Sequence, residues 1–227
     1  MTDPQTIAAA LRRDFPDPAP STDPTWFRPP ALRVIDCVFT FRRNDDRPVG
    51  PRLEAFQRRF PAVESLSQLR ALIGTYKSAA LFSSDVLDSK DPTPAVTLTV
   101  LVDYLMRSAL NRPGSEAAQL KAWAVCARPQ DYLKLQISGF SLSAFQYLRM
   151  LFGANTTRPD LHAGQYVAAV LGHPVSDVQA LLLLEEAAPL VPLQLRDLDP
   201  RRWQTHSRLS GGLAFQMISD TLLSADG

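Results

Sequence analysis

Two features of this sequence could do chemistry. The first is the stretch Ile137-Ser138-Gly139-Phe140-Ser141, where one glycine stands between apolar residues. Such a turn needs one backbone position with φ > 0 while its neighbours point into a core, and glycine adopts that conformation without steric cost. Backbone N–H groups gathered at the start of the following helix form an anion site by geometry and dipole. The stretch therefore reads either as a phosphate-binding turn or as a plain helix-turn-helix connection. The second feature is Asp160, in the phrase Pro159-Asp160-Leu161-His162. An Asp at the mouth of a helix is either an ordinary N-cap, contributing about 1 kcal/mol, or a carboxylate available to a reaction. His162 reads either as a helix-face residue bonded locally or as an acid or base. The sequence holds no Walker loop, dinucleotide fingerprint, nucleophile elbow or zinc ligand set.

The elements that must position these residues follow from periodicity. Ala144, Phe145, Tyr147, Leu148, Leu151 and Phe152 recur at three- and four-residue spacing. That is an apolar stripe about 100° wide, which predicts a helix buried along one side. The loop Gly153 to Pro159 leads to Asp160, and Val167, Val170 and Leu171 mark the face of a second helix.

The hairpin, the spaced Asp-x-His and the helical surround resemble the helix-hairpin-helix DNA glycosylase superfamily, of which endonuclease III is the type. Members carry a hairpin of the form Leu-Pro-Gly-Val-Gly, then a helix, then a catalytic Asp in a phrase close to Val-Asp-Thr-His. The likeness covers about Ala31 to His206. It implies an all-α, two-lobed helical bundle with the motif at about 129–172, following a Pro-rich arm over 1–30. It further implies contact with double-stranded, damaged DNA through Ser138, Gly139, Phe140, Ser141 and Ser143, with Arg42 and Arg43 on the same track. Asp160 would then be the catalytic carboxylate, stabilising the oxocarbenium-like sugar formed as the N-glycosidic bond breaks.

Four departures bound the likeness. Bifunctional members place a Schiff-base Lys where this chain has Ser143, so no lyase amine stands there. The second hairpin glycine is Ser141, which still donates a backbone N–H but permits less close phosphate approach. The iron–sulfur cluster of many members needs four C-terminal Cys, whereas Cys37 and Cys126 are the only Cys in the chain. No cofactor or metal is expected. Finally, the Gln that such enzymes wedge into the duplex is not visible; Thr40, Phe41, Arg42 and Arg43 occupy that stretch, as a Phe or Arg wedge or as a solvated helix end.

With 227 residues, 45% of them hydrophobic, the chain can build a sizeable core. No apolar run reaches membrane-spanning length and the N-terminus lacks a signal-peptide core, so a cytoplasmic monomer, nucleoid-associated in a bacterium, is expected. Both Cys sit in apolar helical contexts and read as buried free thiols. A net charge of +1 is low for a DNA-binding protein, whose affinity comes largely from clustered Lys and Arg.

Seven Pro within 1–30 predict a short helix near Thr6 to Arg13 and otherwise an extended arm outside the core. Leu32, Val34, Ile35, Val38 and Phe39 form a helical stripe holding Asp36, either a pocket-side polar group or the partner of an Arg. Further helices are expected over Pro51 to Phe60, with Arg52, Arg58 and Arg59 outward; from the capping box Ser65-Leu66-Ser67-Gln68 through Ile73; within Tyr76 to Leu87; and from Ala95 to Leu110. Ser115 caps a helix carrying Ala118, Leu120, Trp123 and Val125, and Ser176 precedes one through Leu190 with Val178, Leu181, Leu182, Leu184 and Ala188 buried. Trp123, Phe140, Phe145 and Tyr147 read as core or as a stack for an extruded base. The phrase Leu198-Asp199 to Trp203 resembles a Leu-Asp-x-x-x-Trp phrase near the end of glycosylase-like domains, which implies a packing element, and Leu213 to Leu223 reads as a last helix. Few strand-like alternations occur, so the fold class is all-α. Three functions remain open: a glycosylase without lyase activity, a non-catalytic DNA-binding relative, and a helical protein-interaction module.

Overall fold

A computed structural model describes residues 2–16, 28–41, 48–111, 113–159 and 161–198. Among these the architecture is all-α, with no β-strand. The α-helices are α1 (Asp3–Asp14), α2 (Pro30–Phe41), α3 (Val49–Arg59), α4 (Leu66–Gly74), α5 (Ala79–Val86), α6 (Thr93–Ser108), α7 (Glu116–Cys126), α8 (Leu142–Leu151), α9 (Leu161–Leu171) and α10 (Asp177–Ala187). Short 3-10 helices cover Pro129–Leu135, Ala188–Leu190 and Leu195–Asp197.

Local chemistry sets the helix starts. Ser65, Ser78, Ser115, Ser141 and Ser176 each stand at an N-cap and accept a bond from a first-turn N–H, satisfying a donor the helix itself leaves unpaired. At Ser65 and Ser176 the Gln three residues on answers from its side chain, closing a capping box.

The chain divides into two compact units. The larger one contains α2 to α8. Its central helix is α2, which packs against α3, α4, α6 and α8, while α6 also packs on α4 and α5 and α7 packs on α8. Val34, Ile35 and Cys37 of α2 are wholly buried, as are Leu98, Leu101 and Leu105 of α6 and Phe145 and Leu148 of α8. Trp123 of α7 sits edge-on to Tyr104, Phe145 and Phe152, so these aromatics are core.

The second unit joins α1 to α9, α10 and the described residues that follow, through Leu198. Here α1 packs on both α9 and α10, with Ile7 and Leu11 fully buried and Phe15 edge-on to Tyr166. The Tyr166 hydroxyl donates to the Asp14 carboxylate at 3.1 Å. Burial first, then that carboxylate, pushes the phenol well above its ordinary pKa. The expectation that residues 1–30 lie outside the core is thus corrected for Asp3 to Phe15: the stripe Ile7, Ala8, Leu11 needed a partner, and the partner lies far along the chain.

Three further corrections concern faces. The buried stripe of α7 is Leu120, Trp123 and Ala124, so Cys126, expected as a buried thiol, is exposed. In α10, Leu181 and Leu184 are buried while Val178 and Leu182 are only half-buried. Arg52, expected outward, is half-buried, with its guanidinium 3.7 Å from the Phe39 ring centroid and donating to the Leu87 carbonyl at 3.0 Å. No helix among the described residues is long and apolar enough to cross a membrane.

Candidate nucleic-acid interface

The predicted hairpin is a turn between the 3-10 helix Pro129–Leu135 and α8. Gly139 takes φ +72°, the left-handed conformation its position was expected to need. Phe140 N–H donates to the Ile137 carbonyl at 3.0 Å, closing a four-residue turn whose third position is Gly139. Gln136 is also left-handed, at φ +52°, and ends the 3-10 helix. The apolar ends anchor the turn: Phe140 is buried in the core of the larger unit and Ile137 packs against it. Ser138, Gly139 and Ser141 between and after them are exposed.

Ser141 then starts α8. Its hydroxyl accepts from Ala144 N–H at 3.3 Å, and no acidic residue lies in the first turn to oppose an anion. First-turn amides of a helix have no carbonyl within it to bond, and they carry the positive end of its dipole. Ser143, half-buried, is on this first turn. Ser138, Gly139, Phe140, Ser141 and Ser143 are therefore together by continuity of the turn. Of these, Phe140 offers neither its ring, which is in the core, nor its N–H, which closes the turn.

What distinguishes α8 is how firmly it is held. Every residue from Ala144 to Leu151 is buried. Cys37 Sγ donates to the Ala144 carbonyl at 3.6 Å, Tyr147 Oη to Asp36 Oδ1 at 3.1 Å, and Arg33 to the Leu151 carbonyl at 2.9 Å. Arg149, 2% exposed, donates from Nε to the Ala124 carbonyl of α7 at 3.1 Å and from Nη1 to Gln146 Oε1 at 2.7 Å. Gly153, at φ +99°, ends the helix as its N–H bonds back to the Met150 carbonyl.

Asp36 is the partner of an Arg. Arg28 Nη1 donates to its Oδ2 at 3.0 Å, and Thr40 shares Oδ1 with Tyr147 at 3.1 Å. Phe41, a candidate wedge, lies against Tyr147 with ring centroids 5.7 Å apart and packs on the core. Arg42, Arg43 and Asp160 lie outside the described residues, as do Trp203 and the stretch Leu213 to Leu223. His162 is half-buried on α9.

The loop from α8 toward residue 160 is unusually enclosed for a connection. Thr156 and Thr157 are 1% and 6% exposed. Asn155 uses both ends of its amide, Nδ2 to the Leu193 carbonyl at 3.1 Å and Oδ1 to Leu195 N–H at 2.7 Å, while Thr156 donates to Glu185 at 2.7 Å. Loops normally run over the surface; here the side chains of Asn155 and Thr156 tie the loop to Leu193, Leu195 and Glu185.

Sequence reasoning missed Arg149 and Gln136. The pair Gln146 and Arg149, three residues apart inside an apolar stripe, was the signal for the first; nothing local announces the second. A groove of about 330 Å³ runs between Phe39, Arg52, Phe56, Arg59, Asp85 and Leu87, and contains none of the predicted contact residues. Among the described residues no group of His, Cys, Asp and Glu is arranged to hold a metal ion. Compared with protein-family models, with curated proteins and with solved structures, the chain matches none.

Proposed function

We propose that this chain binds duplex DNA through the Ile137–Ser141 hairpin and acts as a DNA glycosylase of the helix-hairpin-helix type without lyase activity. In this reading a damaged base leaves the duplex and Asp160 stabilises the positive charge on its sugar. The observation that supports it most is the left-handed Gly139 in an exposed turn that opens directly into an immobilised helix. Phosphate binding by backbone amides depends on their being fixed before the anion arrives, since ordering them on binding would cost affinity. A second reading, a DNA-binding relative without the chemistry, is favoured by Phe41: the described candidate wedge is packed against Tyr147. Double-stranded DNA as partner, the monomeric state and the cytoplasmic location belong to both readings.

The direct test is binding to a duplex carrying an abasic-site analogue over a salt series, followed by fluorescence anisotropy. The expected result is binding at low salt, with log K falling linearly against log salt by about 0.9 per phosphate contacted. No binding at low salt leaves only the third function, a helical protein-interaction module.

A paired substitution locates the contact. Gly139→Arg is expected to abolish most of that binding, because a Cβ at positive φ costs about 1–2 kcal/mol and stands where a phosphate must approach. Ser143→Arg, at the first turn of α8, should bind at least as well as the wild type. Equal losses in the two variants would remove the hairpin from the interface.

A further inference from the structure

Between Pro129 and Leu148 the sequence has a single cation, Lys134, and a single carboxylate, Asp131. Both are on the 3-10 helix that runs into the hairpin, and they are paired: Lys134 Nζ lies 2.7 Å from Asp131 Oδ1. The Lys134 side chain is 70% exposed and that of Asp131 20%. The hydrogen bond from this carboxylate, then its charge, raises the Lys134 pKa above its ordinary value, so the ammonium is fully charged at neutral pH. Arg128 and Arg149 flank this stretch, and within it these two are the charged side chains.

Resting on the DNA-binding reading above, we infer that Lys134 is a phosphate contact of the hairpin and that Asp131 is its resident counter-charge, exchanged for a DNA phosphate on binding. An ion pair whose ammonium is exposed is held weakly, since solvent screens the attraction and two side chains must be kept in one geometry. A phosphate can therefore displace the carboxylate. The exchange has a thermodynamic signature. A bare Lys that neutralises a phosphate releases a condensed counterion from the DNA, and that release makes affinity fall with salt. In this chain Asp131 competes with the phosphate for the same ammonium, so the contact is weaker and contributes less to the salt slope. The pair thus tempers the grip of the hairpin, which suits a protein that must move along duplex rather than lodge on it.

The experiment uses the full-length wild type, Asp131→Asn, Lys134→Ala and the double variant, each titrated with the abasic-analogue duplex across a salt series. Circular dichroism on each variant checks that the helices are intact. Asp131→Asn is expected to bind about three- to tenfold more tightly at low salt and to steepen the slope by up to about 0.9, one phosphate contact. Lys134→Ala should bind more weakly than the wild type, and the double variant should match Lys134→Ala. The proposal is overturned if Asp131→Asn leaves affinity and slope unchanged. It is also overturned if Asp131→Asn tightens binding equally when Lys134 is absent, for then only the overall charge matters. Either result, with wild-type binding that Gly139→Arg abolishes, leaves the hairpin reading standing. Absence of binding by the wild type overturns both.

Discussion

Arg149→Ala is expected to destabilise the unit containing α8 by about 4 kcal/mol, the sum of two mechanisms of similar size. The guanidinium is 2% exposed and donates to the Ala124 carbonyl and to Gln146 Oε1. Truncation leaves both acceptors in a dry interior without this donor, at about 1–3 kcal/mol each where no substitute is found. It also empties the volume of a long side chain between α7 and α8, with partial collapse. Arg149→Met separates the two contributions, since it refills most of the space but donates nothing; about 2 kcal/mol of loss should remain. Urea unfolding read by tryptophan fluorescence is a suitable measure, because Trp123 is in the same core. Both variants within about 1 kcal/mol of the wild type would show that the guanidinium does not hold α7 to α8.

The second large effect concerns residue 160 and separates chemistry from capping. Asn caps a helix about as well as Asp, so Asp160→Asn should leave stability within about 0.5 kcal/mol while removing the charge an oxocarbenium-like state requires. Asp160→Ala should lose the cap as well, about 1 kcal/mol. On a panel of duplexes each holding one deaminated, oxidised or alkylated base, both variants should lose excision by at least about a hundredfold. The Asn variant should still bind DNA, with one repulsion of phosphate removed. Excision at the wild-type rate by Asp160→Asn would reduce Asp160 to a cap. Ser143→Lys supplies the complementary result: borohydride trapping of a covalent protein–DNA adduct in that variant alone would set residue 143 against the sugar, and no adduct on any abasic substrate would count against the resemblance itself.

Local chemistry was readable where a residue type admits few conformations. Gly139 between Ser138 and Phe140 called for a left-handed turn, and it has one; Ser65, Ser115 and Ser176 marked helix starts that the structure places there. Asp36 in an apolar stripe called for an Arg, and Arg28 supplies it. What could not be read was which stripe meets which. The face of α1 is plain in Ile7, Ala8 and Leu11, but periodicity says only that a face is buried, so its partners α9 and α10 stayed hidden. The same limit misplaced Cys126, since small apolar residues all round α7, Ala118, Ala122, Val125 and Cys126 itself, blur the stripe that Leu120 and Trp123 define. At the candidate site the turn was legible because it is local. The fastening of α8 by Arg33, Cys37 and Arg149 was not, because each bond reaches to a carbonyl, and carbonyls have no signature in sequence.

The partnership of α1 with helices at the other end of the described chain bears on how the molecule comes into being. A ribosome delivers α1 before α2 to α8, and α9 and α10 only after them. At about 5–20 residues per second, the interval between α1 and its partners is on the order of ten seconds. During that interval the larger unit has everything it needs to compact, while Ile7, Ala8 and Leu11 emerge with no surface to cover them. The α1 segment, made before α2 to α8, therefore finds its place after they do, and its apolar face stays uncovered over that interval, a natural handle for a chaperone that binds such faces.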